Sequence, residues 1–200
     1  MLKRTKGRLL ITLLVVTGLA GTPNTSTLSQ KERKQAVTLM KETRNDFLKS
    51  IEGLTESQLD LRTSKNGPSI RELIHTIYRN EQRTSREIDE LMQQPSNSEY
   101  RLKLAHEDKD IANCADNFLN SNKFTSAAER DGLKETISRF IDLRNANIKY
   151  LRTSTEDLRN HVTESNIGWI DCYQKYLLLA EQTRRCTNEI NLMKKNLAKN

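Results

Sequence analysis

A Ser or Thr followed three residues later by an acid or amide recurs at Ser29/Glu32, Thr55/Gln58, Ser69/Glu72 and Ser126/Glu129. In such a pair the hydroxyl accepts from the third amide of a new helix and the longer side chain reaches back to the cap, so each pair marks a helix start. Apolar residues spaced three and four apart follow, and that spacing gathers them on one side of the helix. Ala36, Met40, Phe47, Ile51 and Leu54 make the first stripe. Thr55/Gln58 opens only a short turn. The second stripe, Ile70, Ile74, Ile77, Ile88 and Leu91, begins after the breaker pair Gly67-Pro68 and ends near Gln94, ahead of Pro95. Leu133, Ile137, Phe140, Ile148 and Leu151 make the third. The fourth starts around Trp169 and is the most regular: Cys172, Tyr176, Leu179, Thr183, Cys186, Ile190, Met193, Leu197.

Four long one-sided helices can bury their stripes against one another as a bundle. Seven Gly, three Pro and 5 % aromatic residues leave little for a many-stranded sandwich. Residues 95–125 are polar and weakly periodic, with a short helix through Ile111, Cys114 and Phe118. The expected fold is therefore all-α: a four-helix bundle over residues 29–197 with a long crossover between the second and third helices.

Polar residues on an apolar seam cost free energy unless they are paired or used. Glu81 and Thr84 interrupt the second stripe and Arg144 the third. Glu81 and Arg144 are expected either to form an internal ion pair or, through the guanidinium, to reach an anionic ligand. His106 and His161 lie in polar surroundings and read as surface residues, and Trp169 reads as a packing residue at a helix entry.

At the amino end Lys3, Arg4, Lys6 and Arg8 precede the apolar run Leu9–Val16 and the small residues Gly18 and Ala20. That is the grammar of a secretory leader cut after Ala20, with residues 21–28 as a short linker. The run is shorter than the roughly 20 residues of a membrane span, so no stable anchor is expected after cleavage. The expected location is periplasmic or secreted. Of the formal charge of +7, the four basic residues of 1–20 account for +4, leaving +3 for residues 21–200; a nucleic-acid partner is not expected. Export makes disulfides possible for Cys114, Cys172 and Cys186. Cys172 and Cys186 share one expected helix about 21 Å apart, too far to pair with each other. Cys114 could reach either, or all three stay as buried thiols.

Two stretches carry a resemblance. Ser69-Ile70-Arg71-Glu72-Leu73-Ile74-His75, running on to Glu81, resembles the second helix of the DinB-like four-helix bundles. Gly168-Trp169-Ile170-Asp171-Cys172-Tyr173-Gln174, with Leu177 to Ile190 after it, resembles their fourth. The resemblance implies a three-His divalent metal site, one ligand from the second helix and two from the fourth, four residues apart. Those positions fall here on His75, Gln182 and Cys186, so two of the three His are replaced. The family includes metal-dependent transferases that join low-mass thiols to electrophiles. The expectation for this chain is an exported bundle with a degenerate metal site and no cofactor, non-catalytic or binding a small-molecule ligand, in which His75, Gln182 and Cys186 converge inside the bundle. The alternative is a thiol S-transferase or hydrolase using zinc or nickel in a weakened site. A homodimer is compatible with either.

Overall fold

The computed structural model describes residues 27–62, 64, 67–116, 118–121 and 132–197. The expected leader, most of the linker and the Ser126/Glu129 pair lie outside these residues. The elements are α1 (Gln30–Ile51), α2 (Glu56–Leu59), α3 (Ile70–Met92), α4 (Ile111–Cys114), α5 (Phe118–Ser121), α6 (Leu133–Thr153), β1 (Val162–Ser165), β2 (Gly168–Asp171) and α7 (Cys172–Leu197). Full capping boxes open α1, α2 and α3 at Ser29, Thr55 and Ser69. The third long helix, α6, begins at Leu133 with Gly132 at its N-cap and no side-chain cap. Among the described residues no helix is long and apolar enough to cross a membrane.

The winding follows from which helices touch. Both α1 and α3 pack against α6 and against α7. Consecutive long helices α1/α3 and α6/α7 therefore stand on the diagonals of the bundle. Glu32 lies beside Tyr173 and Ser50 beside Lys194, so α1 and α7 run parallel. His75 meets Thr136 and Ser85 meets Asn147, so α3 and α6 also run parallel. A chain leaving the end of α3 must travel back along the bundle before it can start α6, about 35 Å for a helix of 23 residues. The long connection supplies that return. It carries two 3₁₀ turns, Ser98–Lys103 and Asp108–Asp110, then α4 and α5, and its Ile111 and Phe118 are buried.

The core is two apolar clusters with a polar layer between them. Met40, Ile88, Leu151, Tyr176 and Leu179 belong to the cluster at the hairpin end. Phe47, Ile74, Ile77, Phe140, Cys186 and Ile190 belong to the other. Thr43, Glu81, Arg144 and Thr183, one from each long helix, fall between them and are all buried.

An all-helical chain was expected, and the hairpin β1–β2 is the exception. Thr163 pairs with Ile170 and Glu164 with Trp169 in antiparallel register. Asn97 closes the outer edge of β1, accepting from Val162 N–H at 2.8 Å and donating to its C=O at 2.9 Å. Ala105 N–H donates to Trp169 C=O on the β2 side at 3.0 Å. Trp169 accordingly lies on a strand, and α7 starts three residues later than the stripe suggested. Asp171 caps it, accepting from Gln174 N–H at 2.7 Å. His161 is not a surface residue: it is buried, its ring nitrogens against the carbonyls of Asp157 at 2.7 Å and Gln94 at 3.1 Å. His106 is half-buried, with Nε2 2.8 Å from Ile167 C=O.

Candidate functional site

Arg144 and Glu81 form the centre of the polar layer, each fully buried. Arg144 Nη2 donates to Glu81 Oε2 at 2.6 Å and to Thr183 Oγ1 at 2.7 Å. Its Nε spans both Glu81 oxygens at 3.0 and 2.9 Å. Its Nη1 reaches Thr43 Oγ1 at 3.0 Å and Met40 C=O at 3.4 Å. A guanidinium has five donors, and these acceptors engage all of them, so none is left for a ligand. Glu81 also accepts from Asn147 Nδ2 at 2.7 Å. The pair is part of the architecture, and the anion-binding use of Arg144 has no opening to solvent.

The three positions implied by the resemblance have separate surroundings. His75 is buried, with Nδ1 3.3 Å from Thr136 Oγ1 on α6. Gln182 lies on the α7 side of α3, its Oε1 accepting from Asn80 Nδ2 at 2.6 Å. Five residues separate His75 from Asn80, about 140° around the helix, so one looks toward α6 and the other toward α7. Cys186 is sealed in the second cluster with Ile74 and Phe140. His75 thus bonds toward α6 and Gln182 toward α3, and each is already engaged within the protein.

Ligand chemistry points the same way. Burial, with the Glu189 carboxylate nearby, pushes the Cys186 thiol up to about 12, whereas a metal takes the thiolate. The carbonyl oxygen of Gln182 is occupied by Asn80 and is a weak neutral donor. The residues present do not fit a transition-metal ion. Among the described residues no group of three or more His, Cys, Asp and Glu side chains is placed to hold one. All three cysteines are free thiols.

What lies next to Gln182 is a groove of about 810 Å³ between α3, α7 and the hairpin. Asn80 Oδ1 accepts from Arg83 Nη2 at 2.8 Å. Arg83 Nε stands 3.7 Å from Glu87, and Glu87 Oε2 accepts from Lys175 Nζ at 2.9 Å. Asn80 thus links Gln182 to Arg83, and Gln182, Arg83, Glu87 and Lys175 line the groove wall. At its far end Trp169 and Tyr100 lie stacked, centroids 5.0 Å apart and planes 4° apart. Sequence reasoning missed Lys175 because residues 172–180 are buried all round, which conceals which face of α7 looks into the groove. The signal was a lysine inside an otherwise apolar and aromatic run.

A second polar cluster closes the hairpin end. Arg159 donates to Glu32 on α1, to Asp108 in the crossover and to Asp171 at the cap of α7, and lies 4.0 Å from the Tyr173 ring centroid. Burial raises the Asp171 carboxyl to about 6 against the pull of Arg159. For Arg159 burial acts downward, but its three carboxylates outweigh it and hold the guanidinium above its ordinary value. This cluster ties three segments together.

Comparison with known proteins agrees with the architecture. A family model described as the DinB superfamily matches residues 39–181. The solved structure of YfiT from Bacillus subtilis, described as "a probable metal-dependent hydrolase with an unusual four-helix bundle topology", is similar in fold. Its TM-score is 0.61 at 12 % identity, covering 86 % of this chain and 91 % of that one. No curated protein matches the chain in sequence.

Proposed function

The chain belongs to the DinB superfamily, and from that membership we propose that it is an exported binding protein that keeps the bundle, has given up the metal site, and takes a small molecule in the groove between α3, α7 and the hairpin. One observation carries this reading. The first fourth-helix ligand position is spent on the Asn80–Gln182 hydrogen bond at 2.6 Å, and the second, Cys186, is a fully buried thiol. A site that fixes its amide internally and buries its sulfur away from water has lost the open coordination position that metal chemistry needs. The basic start, short apolar run and small residues up to Ala20 support export.

The test is the metal content of the mature protein, purified from an exporting host without chelator and with zinc or nickel supplied. Substoichiometric metal after gel filtration is the expected result. One tightly retained ion per chain would replace this reading with the metal-dependent hydrolase or thiol-transferase alternative.

A further inference from the structure

We propose that the groove takes a short cationic peptide, its main chain added along the outer edge of β1 at Glu164 and its positive side chain set against Glu164 and Glu90; this rests on reading the groove as a ligand pocket. Hydrogen-bond direction along the hairpin is the first support. In an antiparallel pair successive residues turn their N–H and C=O alternately toward the partner strand and away from it. Cys172 N–H donates to His161 C=O at 3.1 Å, so His161 turns inward. Val162 turns outward, and the Asn97 side chain takes both of its main-chain groups. Thr163 turns in again opposite Ile170, and Glu164 turns out. Only the Thr163 hydroxyl comes near its C=O, at a long 3.4 Å. Asn97, Val162 and Glu164 all line the groove, so this edge opens on it. A strand edge of this kind is a template for an added main chain, and the Asn97 amide already occupies the neighbouring position as a peptide group would.

Charge selects the side chain that the peptide carries. Among the groove-lining residues Glu87, Glu90 and Glu164 stand against Arg83 and Lys175, a net charge of one negative. Glu87 is already balanced by Lys175 at 2.9 Å and Arg83 at 3.7 Å. Glu90 has only Arg86 at 3.7 Å, with both side chains largely exposed, which is a weak and screened pair. Among the described residues no cation pairs with Glu164. The last turn of α3, which carries Glu90 and Leu91, has no basic residue, and the negative end of the helix dipole adds to the pull on a cation. Tyr100 and Trp169 already hold one cation, since the Lys103 ammonium lies 4.6 and 5.0 Å from their ring centroids. The ligand's charge therefore goes to the two carboxylates, and its apolar part to Leu91 and Ile170 on the groove floor. A volume of about 810 Å³ accommodates a ligand of that size.

Trp169 is the only tryptophan in the chain and lines the groove, so its emission reports on occupancy there. The experiment titrates chelator-treated mature protein at low salt with acetyl-Ala-Lys-Ala-amide and with its Gln and Glu counterparts, whose blocked ends leave the central side chain as the sole difference in charge. The Lys peptide is expected to change the emission saturably and to bind about threefold or more tighter than the Gln peptide, with the Glu peptide weakest and the preference shrinking in high salt. Glu90→Gln with Glu164→Gln, at two exposed positions with little bearing on folding, is expected to bring the Lys-to-Gln ratio close to one. The main-chain part is tested on the ligand: n-pentylamine, a cation without an amide, is expected to bind more weakly than the Lys peptide, and at least one of its singly N-methylated forms to lose most of the affinity. Lys and Gln peptides binding alike, a ratio unchanged in the double variant, or no saturable change up to about 10 mM would each overturn the proposal. Equal binding of n-pentylamine, or of every N-methylated form, would overturn the docking on β1. None of these outcomes depends on metal content, so a failure here is distinct from a failure of the degenerate-site reading.

Discussion

Truncating Arg144 to Met strands Glu81, a carboxylate fully buried at the centre of the bundle. Removing one member of such a pair costs about 3–5 kcal/mol, whereas replacing both by apolar residues costs far less. Arg144→Met is therefore expected to lower the urea midpoint sharply, and Arg144→Met with Glu81→Leu to recover most of the loss; equal damage from single and double variants would contradict the pairing. Asp171 behaves differently. Its folded-state value of about 6 lies above the 3.8 of the free carboxyl, so its contribution favours folding below about pH 4 and is lost as pH rises through 6. Asn at this position keeps one acceptor oxygen, enough for the Gln174 cap, and gives up the Arg159 bond, while Glu32 and Asp108 still balance that guanidinium. Asp171→Asn should accordingly gain stability relative to the parent between pH 4 and pH 7, by on the order of 2 kcal/mol. A difference independent of pH in parallel urea melts would show that Asp171 titrates normally. Residue-scale chemistry was partly legible in sequence: Glu81 and Arg144 declared themselves by interrupting apolar stripes, while Arg159 lies in a loop and Asp171 ends a strand of four residues, too short for a broken stripe to show.

At the scale of elements, the capping pairs located α1, α2 and α3 correctly because a capping box is local chemistry within four residues. Ser69→Ala removes the hydroxyl that accepts from Glu72 N–H at 3.2 Å and is expected to cost about 1 kcal/mol in a thermal melt; no change would mean that Glu72, held by Arg62, secures the helix start alone. The hairpin was not legible. Its strands are four residues long, and what orders them is distant in sequence: Asn97 on the edge of β1 and Ala105 against β2. Asp171 with Gln174 forms an acid-first capping pair, a signal overlooked because the other helix starts used Ser or Thr. Gly168 shows how closely the crossover presses on the hairpin. Its φ is 97°, and a methyl group there would stand 2.7 Å from Ala105 Cβ. Gly168→Ala combines backbone strain of about 1–3 kcal/mol with that collision and is expected to speed hydrogen exchange at Ile170 and Ala105 while sparing the centres of α1 and α6. Uniform loosening of the whole chain would contradict so local a role.

For the molecule as a whole, amphipathic stripes predict a bundle but do not say which helices are neighbours. The diagonal placement of α1/α3 and α6/α7 becomes visible only through cross-helix contacts such as His75 with Thr136 and Ser50 with Lys194. The long crossover was legible as a length of chain; its reason, the parallel pair α3/α6, was not. The family's ligand positions are engaged with different helices, His75 with Thr136 on α6 and Gln182 with Asn80 on α3. The proposed export is tested on the full chain: an exporting bacterial host is expected to yield protein whose intact mass begins at Gly21, and retention of Met1–Ala20 would contradict the proposal. The central claim is that His75, Gln182 and Cys186 no longer make a metal site, and calorimetric titration of zinc and nickel into chelator-treated protein tests it most directly. The parent is expected to bind weakly, and Gln182→His with Cys186→His to gain at least about a hundredfold in affinity, near 2.7 kcal/mol. A parent that already binds one ion as tightly as that double variant would contradict the account.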